Sequence, residues 1–209
     1  MTYELSFRDA LSTGWNITKS RFPLLLAFMA TFLLLGGLRA FLGEKMESQM
    51  LNVIIGIGFN VFSWYLTFNA LGISLKLIDS KPVEYADLWR PQNKFWFYVL
   101  ATLLYGVITA LGTLLLVVPG IILGLMFMFY GYVMIEKSLG PIEALQESKR
   151  LTQGVKMDLF LFSLLAIGLN LLGMLALLVG VFVTMIVTYL AIAHLYRQRT
   201  RALELTPAA

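Results

Sequence analysis

The one histidine, His194, stands beside Tyr196 and Arg197 in a chain with no cysteine, and no carboxylate lies near it in sequence. A general base or a metal ligand needs partners of those types, so this placement favours an interfacial polar residue at a helix end over a catalytic or metal centre. Carboxylates inside an apolar run would signal proton or cation coupling, because burying one is costly. Here Asp79, Glu136 and Asp158 all fall at the ends of apolar runs. That counts against a proton-driven pump and against an intramembrane acid protease. The remaining candidates are Asn60, Asn69 and Asn170, with Ser63, Thr67, Thr102, Thr109, Thr184 and Thr188. Such side chains bond between helices as packing glue or line a polar cavity, and the three asparagines are the best cavity lining on offer. No acid, base, nucleophile and metal constellation assembles, so the expectation is a non-enzyme without a cofactor.

The elements that must carry these residues follow from hydropathy. Of the 209 residues 59% are hydrophobic and 13% charged, and the mean hydropathy is +0.80, more apolar surface than a soluble domain could bury. Lipid supplies no water to backbone amides, and the runs lack the alternation of a barrel, so they must be helices. Six crossings are expected: Phe22 to Leu42, Leu51 to Leu77, Phe95 to Val118, Gly120 to Ile135, Leu159 to Leu178 and Gly180 to Tyr196. The fold class is all-α, a polytopic membrane bundle in a single transmembrane domain. The fourth run looks short, which suggests that the turn before it falls ahead of Pro119. Phe22 begins a run long enough to be a permanent helix rather than a cleaved signal.

Charge sets the expected orientation. Arg8, Lys19 and Arg21 precede the first crossing; Lys76, Lys81, Arg90 and Lys94 join the second to the third; Lys137, Lys149, Arg150 and Lys156 join the fourth to the fifth; Arg197, Arg199 and Arg201 follow the sixth. Only Arg39 and Lys45 fall on the other side. The basic side should be cytoplasmic, with both ends of the chain inside, in a bacterial inner membrane. Basic residues beside apolar runs point to anionic lipid headgroups rather than nucleic acid. Lys19, Arg21, Arg90, Lys94, Lys149, Arg150 and Lys156 are the candidate headgroup contacts. Arg39 stands alone, to be satisfied by snorkelling, by Glu44 or Glu47, or by a lipid phosphate.

The segments before the three hairpins repeat. Ser6 to Ser20 aligns without a gap on Gly140 to Gly154, pairing Asp9 with Glu143, Ala10 with Ala144, Leu11 with Leu145, Ile17 with Leu151 and Thr18 with Thr152. Lys81 to Arg90 shares the Pro, β-branched, Glu opening of Pro141 to Glu143. Pro at a first helical position and an acid in the first turn read as helix starts, with Asp9, Glu84 and Glu143 near the caps. Phe7, Leu11, Gly14 and Ile17 face one way and Arg8, Ser12, Asn16 and Lys19 the other, as expected of an interfacial amphipathic helix. Three parallel repeats, each an amphipathic helix and a hairpin, are therefore expected over residues 5–78, 81–136 and 140–197, related by an axis along the membrane normal. Gly120 and Gly124 form a small-xxx-small pair suited to packing within the bundle.

From Leu116 to Gly154 the chain resembles uncharacterised bacterial six-helix inner-membrane proteins, similar to the membrane domain joined to some glycerophosphodiester phosphodiesterases. The Val118 to Ile121 turn, the Gly140 to Leu145 opening, Ser148 and Leu151 to Gly154 carry the likeness. The resemblance implies a six-helix membrane protein and no catalytic residues, since the soluble metal-binding domain of those enzymes is absent from this sequence. The function expected is a membrane scaffold or accessory protein, with a transporter or binder of lipid or another amphiphile as the alternative. A protein partner or a second copy of the chain is left open.

Overall fold

A computed structural model describes residues 5–175 and 177–205. The chain runs α1 (Phe7–Ser20), α2 (Phe22–Lys45), α3 (Gln49–Ile78), a short 3₁₀ turn (Tyr85–Trp89), α4 (Phe95–Leu115), α5 (Val117–Met126), α6 (Tyr130–Lys137), α7 (Pro141–Thr152), α8 (Lys156–Leu175) and α9 (Leu177–Leu205). Six segments are long and apolar enough to cross a membrane: Phe22–Lys45, Gln49–Ile78, Phe95–Leu115, Val117–Lys137, Lys156–Leu175 and Gly180–Leu205. The protein is a multi-pass, helical membrane protein.

Packing is uneven along the bundle. At the end that gathers Ser6, Asp79, Glu136 and Arg197, here called the basic end, Phe68, Tyr98, Phe129, Tyr132, Phe162 and Tyr196 form one buried core. A second core joins Leu25, Phe28, Leu66, Ile73, Leu77, Leu88 and Leu190. Toward the far end side chains turn outward, as at Leu34, Leu114 and Leu175, which are 73%, 84% and 83% exposed. Apolar exposure on that scale belongs against lipid tails. Helix α3 spans 30 residues and α9 spans 29, about 45 Å at 1.5 Å per residue against a hydrocarbon core of about 30 Å. Both therefore extend beyond the core, and their ends meet at the basic end.

Three features differ from the sequence expectation. The fourth crossing is not one helix, because residues 127–129 form a turn between α5 and α6; the hairpin turn before it does fall ahead of Pro119, at Leu116, as expected. The middle amphipathic helix is also absent. Residues 81–84 form no helix and only Tyr85–Trp89 coils, as a 3₁₀ turn in which Glu84 and Asp87 cap each other's backbone amides. Pro91 explains the brevity, because it holds Arg90 in the extended region (ψ 130°) and ends any helix there. Third, α1 does not lie free in the interface. It runs antiparallel along α9: Ser6 exchanges hydrogen bonds with the Gln198 amide (3.1 and 3.3 Å), and two turns on, Gly14 rests against the backbone of Val187 and Ala191.

Helix α7 too is packed into the bundle. Leu145, Ser148 and Leu151 are buried with Ala144 and Thr152, while Ile142 is 60% exposed. One turn into the helix the apolar face is covered; at its start Ile142 stays largely exposed.

Candidate functional site

The polar residues singled out by sequence do not converge. Asn60 is exposed on α3 and its amide donates to the Gly56 carbonyl one turn back (2.9 Å), so it faces the surroundings of the bundle. Asn69, buried in the same helix, donates to the Leu88 carbonyl of the 3₁₀ turn (3.0 Å). Asn170 on α8 donates to the Ala166 carbonyl (2.8 Å) and reaches Thr188 on α9 (3.5 Å). The three amides thus serve local or interhelical packing, and none borders the cavity between α2, α3 and α9. Nine residues, little more than two turns, separate Asn60 from Asn69 on α3, enough to put one outside and the other inside.

The cavity lies elsewhere, between α2, α3 and α9, with a volume of about 430 Å³. Leu25, Phe28, Met29 and Phe32 wall it from α2, Ala70, Ile73 and Leu77 from α3, and Phe182, Ile186 and Leu190 from α9. Thr67 and Ser74 satisfy their hydroxyls on their own helix, through the carbonyls of Ser63 and Leu71. The Tyr189 hydroxyl on the same wall is buried and has no hydrogen-bond partner among the described residues. A buried hydroxyl without a partner costs about 1–3 kcal/mol unless something completes it.

The basic residues fall into two groups. Arg90 is paired with Asp87 (3.2 Å), Arg150 with Glu147 (2.7 Å), and Lys94 donates to the Ser138 carbonyl. Asp87 also takes Lys76 (3.1 Å) and the Glu84 amide (3.1 Å). Burial raises the Asp87 carboxyl, but these partners outweigh it and hold the group below the usual carboxylate range. Lys149 is exposed and Lys156 half-buried. Lys19 lies over the Trp15 ring (5.3 Å), and Arg21, exposed at the junction of α1 and α2, sits one turn before Leu25. Arg21 therefore stands at the start of the helix that forms the α2 wall of the cavity.

Sequence reasoning did not find the ring of contacts that closes the basic end. Arg197 on α9 meets Asp79 at the end of α3 (2.7 Å) and Glu136 on α6, and the Tyr196 hydroxyl donates to Glu136. One member of each hairpin takes part. Asp79, Glu136 and Arg197 were legible only as charges at the ends of three apolar runs. His194 is half-buried on α9, and its Nδ1 has no hydrogen-bond partner among the described residues.

No family model matches the chain and no solved structure matches it. The likeness to the membrane domain of glycerophosphodiester phosphodiesterases is accordingly not shown. The chain is similar to two uncharacterised mycobacterial proteins, Rv2560 of Mycobacterium tuberculosis and Mb2590 of Mycobacterium bovis, each 30% identical over 115 residues. The match covers 51% of this chain and 35% of each relative. The chain thus spans about a third of the length of the curated relatives it matches.

Proposed function

We propose that this protein is a non-enzymatic component of the bacterial cytoplasmic membrane that binds an anionic phospholipid, one acyl chain of which lies in the cavity between α2, α3 and α9. The observation that carries this reading is the cavity itself, about 430 Å³ with apolar walls from three helices. An apolar pocket with few polar groups suits an acyl chain and offers no path to a polar solute. Arg21, at the start of α2 one turn before Leu25, complements a phosphate. The basic end then faces the cytoplasm, by the bias of Lys and Arg toward that side. This keeps the accessory character expected from the sequence and gives it a ligand.

The test is lipid extraction from the detergent-purified protein, quantified by mass spectrometry. Filling the cavity with Ala70→Trp should remove most of the copurifying phospholipid, and Arg21→Gln should shift what stays bound toward zwitterionic species. Unchanged lipid content and composition in both variants would overturn the reading.

A further inference from the structure

Arg39 lies on α2 toward the far end, where the sequence left it without an assigned partner. Its guanidinium does not pair with Glu44 or Glu47. It turns instead into the seam between α2 and α3, where Nη2 donates to the Asn52 side-chain oxygen (2.7 Å) and the Asn52 carbonyl (3.3 Å). Two glycines make the room. A Cβ on Gly43 would stand 2.5 Å from Nη1, and one on Gly56 would stand 3.0 Å from Nη2. The cation is thus cradled by α2 on one side and α3 on the other, held among the described residues by the neutral Asn52 alone. Charged groups in membrane segments pair with opposite charge, and a neutral amide leaves the positive charge uncompensated.

Inward from this cradle the seam opens into a second hollow, lined by Leu35, Ile55, Gly58, Phe59 and Phe62. Leu35 is one turn before Arg39. Ile55, Phe59 and Phe62 follow Asn52 at steps of three, four and three residues, along one face of α3. A half-buried cation at the rim and an apolar trough leading toward the bilayer centre match a phosphate followed by a hydrocarbon chain.

We propose that Arg39, positioned by Asn52, Gly43 and Gly56, is a phosphate-binding site whose ligand is the headgroup phosphate of a lipid in the leaflet opposite the basic end. The site stands apart from the α2, α3 and α9 cavity and does not depend on it. The guanidinium offers its remaining N–H groups as a planar fork suited to two phosphate oxygens.

Thermal stability of the purified protein in detergent tests the proposal, with dioleoyl phosphatidylglycerol, dioleoylglycerol and inorganic phosphate added separately. The phospholipid should stabilise the native protein, and Arg39→Gln should weaken its apparent affinity about tenfold, the loss of charge-assisted hydrogen bonds worth about 1.4 kcal/mol. Gly56→Ala keeps the charge but pushes the guanidinium out of its cradle, so it should weaken binding too, and it covers the case in which Arg39→Gln fails to fold. In an Arg21→Gln background, which removes the phosphate contact proposed for the cavity, Arg39→Gln should still weaken the remaining phospholipid response about tenfold, which separates the two sites. Stabilisation by inorganic phosphate alone, equal to that by the phospholipid, would retain the phosphate site and overturn its assignment to a lipid. An equal response to dioleoylglycerol, or the same response in the native protein and both Arg39-site variants, would overturn the site.

Discussion

The Ser148 hydroxyl of α7 lies in the break between α5 and α6, accepting from the Phe129 amide (3.1 Å) and donating to the Met126 carbonyl (3.2 Å). Those are the backbone groups an interrupted membrane helix leaves open, and lipid cannot satisfy them. Thr152, one turn along α7, donates to the same carbonyl (3.1 Å). The break therefore persists because another helix plugs it. Ser148→Ala should destabilise the protein by about 1–3 kcal/mol, the cost of orphaning a buried backbone group, read as a lower midpoint in thermal unfolding in detergent. Ser148→Thr, which keeps the hydroxyl, should recover part of the loss.

This contact shows what was legible and what was not. The gapless alignment of residues 6–20 on residues 140–154 pairs Ala10 with Ala144, Gly14 with Ser148 and Thr18 with Thr152, and all six are buried. Periodicity gave the two helices, but of the residues buried on α1 it placed only Gly14 on the inner face and missed Ala10 and Thr18. It could not say that each would dock on a crossing of another hairpin, Gly14 at the Val187 carbonyl of α9 and Ser148 at the Met126 carbonyl of α5. Hydropathy likewise found all six crossings but not the turn at residues 127–129, since Phe127, Met128 and Phe129 are as apolar as their neighbours and the break is held by partners distant in sequence. The cavity escaped for the opposite reason: its walls are Leu, Phe and Ile, indistinguishable in sequence from core. Polar residues drew attention to Asn60, whose amide is spent on its own helix.

The contact of α1 with α9 depends on the absence of a side chain. A Cβ on Gly14 would lie 2.6 Å from the Val187 carbonyl oxygen, a backbone atom that cannot swing aside. Gly14→Ala should therefore cost about 1–3 kcal/mol through overpacking, despite the better helix propensity of alanine. Gly36→Ala on α2 is the control, because nothing lies within 4 Å of a Cβ there. Its unfolding midpoint should equal or exceed that of the native protein, while that of Gly14→Ala falls.

Acid should loosen the α6–α7 junction. Hydrogen bonding from Arg150, against the opposing effect of burial, and pairing with Lys137 bring the Glu147 carboxyl down to about 2 from an ordinary 4.5. A carboxyl whose folded value is depressed stabilises the fold above its unfolded value, so this contribution is complete above pH 4.5 and disappears as the pH falls toward 2. Both cations are more than a third exposed, 55% for Arg150 and 39% for Lys137, which limits the gain to about 1 kcal/mol or less. Glu147→Gln should flatten the stability profile between pH 4.5 and 2 and lower the plateau above it. A profile identical to that of the native protein over that interval would show the pairing to be energetically silent.

Orientation can be decided chemically, because the sequence contains no cysteine and any thiol introduced is the only one present. Glu47, in the turn between α2 and α3, and Gln92, between the 3₁₀ turn and α4, are both exposed and lie at opposite ends of the bundle. Fourteen of the sixteen basic residues flank the end that holds Gln92, and basic segments resist translocation. In intact cells a membrane-impermeant maleimide should therefore label Glu47→Cys and leave Gln92→Cys unlabelled until the membrane is permeabilised. Labelling of Gln92→Cys from outside would reverse the assignment and place the Arg39 cradle in the cytoplasmic leaflet.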